Sequence, residues 1–201
     1  MLIGTQMVAK GLNLPDVTLV GVLDGDLSLY TGGYRSGETT FNMLTQVVGR
    51  AGRGDSEGRA IIQTMVPQNQ IIGLAARQDY EAFYALELEL RRVQQAPPFG
   101  DVAQVTFIGQ EETAVFRGAA KFRDSLRSCL QQPPYERQNC TILGPAPCIV
   151  PKINYNFRYR ITLRCTMDKE KRLLIAHLLR QFSMDKANRG ISAFADINGY
   201  E

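Results

Sequence analysis

The feature that most constrains the fold is the pair Pro97-Pro98, because neither proline supplies a backbone donor and the pattern of elements changes across them. Before the pair, residues 79–93 read as an amphipathic helix with Tyr80, Phe83, Leu86 and Leu90 recurring at helical spacing. After it come strand 102–108, helix 112–130, strand 141–143, strand 157–165, helix 168–182 and strand 191–198. The order β-α-β-β-α-β marks a ferredoxin-like split sandwich, an α+β fold with two helices on one face of an antiparallel sheet. Two domains are therefore expected, residues 1–97 and residues 98–201. The second strand is the hardest to bound, since Pro145, Pro147 and Pro151 follow it.

The first domain is expected to be α/β. Met1 to Thr5 reads as a strand, followed by a short helix, Gln6 to Lys10, that stops at Gly11. Residues 17–23 form an almost continuous apolar run, the pattern of a strand buried on both faces of a parallel sheet. Asp24 and Asp26 follow its carboxyl end, where open α/β sheets bind ligands, although aspartates there also form turns and caps. Residues 38–48 carry Phe41, Leu44, Val47 and Val48 at helical spacing, residues 59–64 read as a further strand, and residues 71–93 are mostly helical.

With 201 residues and 44% hydrophobic composition, the chain can bury sizeable cores. Its net charge of +3 permits a polyanionic partner without requiring one. No apolar run approaches the ~20 residues of a membrane span, and the start lacks a signal-peptide pattern, so a cytoplasmic protein is expected. Cys129, Cys140, Cys148 and Cys165 contain no C-x-x-C pair, which leaves packing as their expected role rather than zinc binding. His177 lies in an apolar helical stretch with no identifiable catalytic partner, and is expected to be packed or half-exposed.

Three sets of residues carry candidate chemistry. In Gln46-Val-Val-Gly-Arg-Ala-Gly-Arg53, Arg50 and Arg53 stand three apart, so a helix would project both from one face toward a single anionic group. Gly49 and Gly52 cost about 1 kcal/mol each inside a helix and suggest close backbone approach. An ordinary basic surface turn explains the same residues. Upstream, Gly4, Thr5 and Gln6 sit where a strand meets a helix N-terminus that suits a phosphate, and Lys10 adds a cation. Downstream, Lys152, Arg158, Arg160 and Arg164 interleave with Tyr155, Phe157 and Tyr159 around one hairpin. That suits single-stranded nucleic acid, or simply a strand with one aromatic and one solvated cationic face.

Together, residues 4–11, residues 14–20 and the glycine-arginine motif resemble motifs V and VI of superfamily 2 helicases. The resemblance is closest to the bacterial primosomal replication-restart helicases. It extends over the whole chain through residues 34–41, the Arg91-Arg92 to Pro97-Pro98-Phe99 junction and residues 143–147. Arg35 and Glu38 match that family, whereas Thr39 stands where many relatives carry arginine, and Gly33-Tyr34 replaces an acidic-aromatic pair.

The resemblance implies that residues 1–97 complete a second RecA-like lobe and that residues 98–201 form a ferredoxin-like domain of the ribosomal-protein-S10 type. It implies that Arg50 and Arg53 are arginine fingers on the γ-phosphate of ATP, with Mg²⁺ as the nucleotide's metal. Gln46, Gly49 and Gly52 would line the nucleotide, and Gly4, Thr5, Gln6 and Lys10 would couple the DNA backbone to that cleft. Lys152, Arg158 and Arg160 would touch forked or single-stranded DNA, with single-strand-binding protein and primosome proteins as further partners. The sequence contains no G-x-x-x-x-G-K-[ST] loop, no Asp-Glu-x-His motif and no cysteine-rich zinc module. A C-terminal fragment without ATPase activity of its own is therefore expected. The alternative is a non-catalytic DNA- or protein-binding module.

Overall fold

Helix α1, Ser36–Val48, buries Gly37, Thr40, Phe41 and Leu44, the stripe that its spacing of apolar residues predicts. The computed structural model describes residues 1–5, 17–30, 33–52, 57–136 and 139–199. They divide into two units, Met1–Leu90 and Arg91–Glu201.

In the first unit, β1 (Leu19–Val22) and β2 (Arg59–Ile62) pair in parallel, with Leu19 opposite Arg59 and Val22 opposite Ile62. Phe41 and Leu44 of α1 pack with Ile72, Leu74 and Ala75 of α2 (Gln70–Ala76) and with Phe83 of α3 (Tyr80–Gln94). Phe41 stacks on Phe83 with ring centroids 3.9 Å apart. The helical stretch expected from residue 71 is two helices. The Asn69 side chain caps α2 by accepting from the Ile71 amide, Gln78 takes φ +55° in the break, and the Asp79 carboxylate accepts from the Ala82 amide as α3 starts.

Two expectations fail in this unit. Met1 to Thr5 is not a strand, and its apolar side chains are exposed. The run 17–23 supplies only the short β1, whose Leu19 is 61% exposed. A strand is buried on both faces only when layers cover both, and among the described residues this sheet has just two strands. The helix expected at Gln6 to Lys10 lies outside the described residues.

The second unit follows the expected order. Strands β3 (Asp101–Gly109), β4 (Thr141–Ile153), β5 (Asn156–Cys165) and β6 (Ile191–Ile197) form one antiparallel sheet in the order β4-β5-β3-β6. Helices α4 (Glu112–Leu130) and α5 (Lys169–Met184) supply the two crossovers. Ala103, Val105 and Phe107 of β3 and Ile161, Leu163 and Cys165 of β5 face Phe122 and Leu126 of α4 and Leu178 and Phe182 of α5. Phe107 meets Phe122 and Phe182 edge-on at 5.3 and 5.2 Å. Each Val, Leu, Ile or Phe among them contributes about 1.5–3 kcal/mol on burial. Asp101 ties three strands together: its carboxylate accepts from the Met167 amide beyond β5 and from the Asn198 side chain beyond β6.

The strand expected at 141–143 continues to Ile153, through all three prolines. β4 is an edge strand, where a missing amide donor is tolerated, and register shifts between Leu143 and Ala146 and between Pro147 and Lys152 absorb the irregularity. The division between the two units falls between Leu90 and Arg91, inside α3. The last turn of that helix belongs to the second unit: Arg91 donates to the Pro97 carbonyl, Arg92 lies 4.9 Å over the Phe99 ring, and Arg164 donates to the Gln94 carbonyl. Cys148 and Cys165 are buried, Cys129 and Cys140 half-buried, and His177 is exposed rather than packed. Among the described residues no helix is long and apolar enough to cross a membrane.

Candidate nucleic-acid interface

Within the glycine-arginine motif, residues 46–48 close α1 and residues 49–52 form a turn. α1 ends at Val48, Gly49 donates its amide to the Thr45 carbonyl, and Arg50 and Ala51 close tight turns on Val47 and Val48. Gly52 takes φ +75° and donates to the Val17 carbonyl at 2.9 Å, while Gly58 lies against the backbone of Ala51 and Gly52 with no room for a side chain. The close approach suggested by these glycines is thus backbone on backbone. Gln46 is exposed in the last part of α1, Arg50 is half-buried in the turn, and Arg53 lies outside the described residues. Arg50 therefore stands in a turn and not on a helical face.

The turn lies beside the amino end of β1, because Gly52 bonds Val17 and Arg59 bonds Thr18. Asp24 and Asp26 follow the carboxyl end of the same strand, so they belong to a different place. Asp26 is buried, its carboxylate accepts the Met65 amide at 3.3 Å and its carbonyl accepts the Leu29 amide, which makes it a turn former. Arg35 precedes α1 with its guanidinium 4.9 Å over the Tyr34 ring, and Glu38 occupies the first helical turn, where the helix dipole favours a carboxylate. Gly4 and Thr5 are exposed; Gln6 and Lys10 lie outside the described residues.

The hairpin is better defined. Register places Phe157 and Tyr159 on the helix-covered side of the sheet with Ile161 and Leu163, and Arg158, Arg160 and Arg164 on the opposite side with Ile108, Thr106 and Val102. The Tyr159 hydroxyl donates to Glu112 at 2.9 Å, and its ring meets Phe116 edge-on at 5.5 Å. The hydrogen bond to the Glu112 carboxylate is the largest cause holding the Tyr159 phenol above its ordinary pKa. Lys152 sits 4.4 Å over the Phe157 ring, its cross-strand neighbour. Phe157 and Tyr159 are therefore engaged within the domain, and Tyr155 is the hairpin aromatic that points out, 83% exposed. Strand alternation explains the aromatic-cation pattern along β5.

One residue escaped the sequence reading. Phe194 of β6 pairs in register with Thr106, which pairs with Arg160, so Phe194 shares the cationic side of the sheet and is 48% exposed. Its signal was an aromatic at an outward position in a strand that otherwise alternates Ile191, Ala193, Ala195 and Ile197 inward. Among the described residues no three His, Cys, Asp or Glu side chains gather as metal ligands would.

Residues 92–199, the split β-α-β unit with its cationic strand, match the family model of the primosomal protein N C-terminal domain. The chain belongs to that family. Among curated proteins, replication restart protein PriA of Bacillus subtilis is 36% identical over 204 residues, covering 100% of this chain and 24% of that protein. The protein of the same name from Rickettsia conorii is 40% identical over 163 residues, covering 81% of the chain and 24% of the relative. That from Chlamydia muridarum is 32% identical over 98% of the chain and 25% of the relative. The chain thus spans about a quarter of the length of the relatives it matches.

Proposed function

We propose that this chain is the C-terminal portion of an ATP-dependent 3′ to 5′ DNA helicase that acts in replication restart and primosome assembly. The observation that supports this most is the similarity, along the whole of this chain, to about a quarter of a replication restart protein, which takes in residues 4–53 as well as the family domain. On this reading residues 1–97 complete a RecA-like lobe, and the ferredoxin-like unit contacts DNA and partner proteins. Single-strand-binding protein is one such partner.

Arg50 and Arg53 are then arginine fingers, which stabilise charge developing on a transferring phosphoryl group, with Gln46, Gly49 and Gly52 beside the nucleotide. Gly4, Thr5, Gln6 and Lys10 link that cleft to the DNA backbone. ATP with Mg²⁺ supplies the phosphoryl chemistry in such motors, but these residues form one wall only: the sequence has no phosphate loop to cradle the β- and γ-phosphates. No catalytic step is assigned to this chain alone, and it is expected not to turn over ATP by itself.

The alternative, a non-catalytic binding module, draws on the hairpin and sheet, where Lys152, Arg158 and Arg160 suit phosphates whatever the first unit does. Arg53→Ala in the full-length polypeptide separates the two. The helicase reading expects DNA-stimulated ATP hydrolysis to fall by about 10³-fold or more with DNA affinity retained. Unchanged hydrolysis would leave only the binding module.

A further inference from the structure

The β4–β5 hairpin ends in a two-residue turn. Ile153 and Asn156 form its last pair, and Asn154 and Tyr155 between them take φ +46° and +65°. Positive φ at both central positions is the type I′ hairpin turn, which favours Asn first and Gly second. Asn154 fits that preference, and its carbonyl accepts from the Asn156 side chain at 3.0 Å. Tyr155 does not fit. A bulky aromatic in the left-handed region is strained, and here its ring gains no burial in return, since the residue is 83% exposed.

The chemistry around this ring selects a partner. Between Thr141 and Cys165 the sequence carries four cations, Lys152, Arg158, Arg160 and Arg164, and no carboxylate. Lys152 and Arg158 flank the tip on its two strands. An exposed ring at a hairpin tip with uniformly positive flanks is complementary to a polyanion that displays flat apolar faces, which is single-stranded nucleic acid. Phe157 and Tyr159 cannot share that task, because Lys152 covers one and Glu112 and Phe116 hold the other.

We infer that Tyr155 is a base-stacking contact for single-stranded DNA, with Lys152 and Arg158 holding the neighbouring phosphates. The inference rests on the nucleic-acid reading of the hairpin above and assigns its sequence-independent contact to one side chain at the turn. The two-residue turn fixes the direction in which the Tyr155 side chain leaves the backbone.

The test is fluorescence anisotropy of the whole chain with a labelled 12-nucleotide thymidine strand and with a strand of equal length made of abasic sites. Tyr155→Ala is expected to weaken binding to the thymidine strand by about 5- to 100-fold, as stacked aromatics do elsewhere, while leaving the salt dependence unchanged. Tyr155→Phe keeps the affinity, and the abasic strand binds wild type and Tyr155→Ala equally. Arg158→Gln instead lowers the slope of affinity against salt. Tyr155→Gly serves as the folding control: relieved of left-handed strain, it melts at or above the wild-type temperature while losing the same affinity as Tyr155→Ala. Equal thymidine-strand affinity for wild type and Tyr155→Ala, or equal losses on both strands, would overturn the inference and leave the phosphate contacts standing. No binding of either strand by wild type at low salt would overturn the nucleic-acid reading of the hairpin as well.

Discussion

Lys171 is 1% exposed, yet it carries an ammonium group into the second unit beside α5. That is possible because a carbonyl and a carboxylate both receive it. Its Nζ donates to the Thr166 carbonyl at 2.8 Å and to Asp168 Oδ2 at 2.6 Å, and the other oxygen of Asp168 caps α5 by accepting the Lys171 amide. Cys165, at the end of β5 nearby, shows the opposite case. Burial, with Cys140 alongside as the next largest cause, pushes its thiol from the ordinary 9.0 up to about 12. A raised native pKa means that folding favours the neutral thiol. This contribution is fully present below pH 9.0 and is lost as pH rises toward about 12. Iodoacetamide at pH 8 should therefore modify half-buried Cys129 much faster than Cys165, by peptide mass mapping; comparable rates would contradict the buried, protonated state. Packing as the role of the cysteines was legible from their spacing. The exposure of His177 was not, because an apolar sequence neighbourhood does not say which side of a helix turns to solvent.

At the scale of elements, periodicity located α1, α4, α5, β3, β5 and β6 to within a few residues, because each has a well-covered face whose apolar spacing is written locally. β4 was not legible beyond Leu143, since proline argues against strand unless the strand is known to be an edge, and edge position is a property of the sheet. Gly144 marks the place where β4 adjusts. It takes φ +93°, and a Cβ there would lie 2.6 Å from the Arg160 carbonyl oxygen and 3.1 Å from the Ala146 amide nitrogen. Both obstacles are backbone, so neither can swing away. Gly144→Ala should lower stability by about 1–3 kcal/mol, read as a shift in the urea midpoint with unchanged slope. A variant as stable as the parent would show that the register shift is not held by this contact. The glycine-arginine motif is a second lesson at this scale: glycine is both the residue that frees a helix surface and the one that ends a helix, and only the carbonyl each amide meets distinguishes the two.

At the scale of the molecule, the two units have separate cores and unequal sheets. The second closes a four-stranded sheet under two helices, whereas the described part of the first leaves a two-stranded sheet with exposed Leu19 and Ile61. The second unit should fold alone, and where it starts should matter. A fragment of residues 91–201 retains the Arg91, Arg92 and Gln94 contacts that one beginning at residue 98 lacks. Both should unfold cooperatively in urea, with the longer fragment more stable by about 1 kcal/mol or more. Equal midpoints would place the boundary at the prolines.

The sequence by itself determined the β-α-β-β-α-β order, the cationic character of the hairpin and the family resemblance, because these reside in spacing and composition along the chain. Only the tertiary structure decided which side of the sheet each hairpin residue takes and which aromatics are already engaged. Only the structure, likewise, placed residues 49–52 in a turn and tied the last turn of α3 to the second unit. Those outcomes depend on hydrogen bonds and ring contacts between residues far apart in sequence, such as Gly52 with Val17, Arg164 with Gln94 and Tyr159 with Glu112. Local periodicity contains no record of such partners.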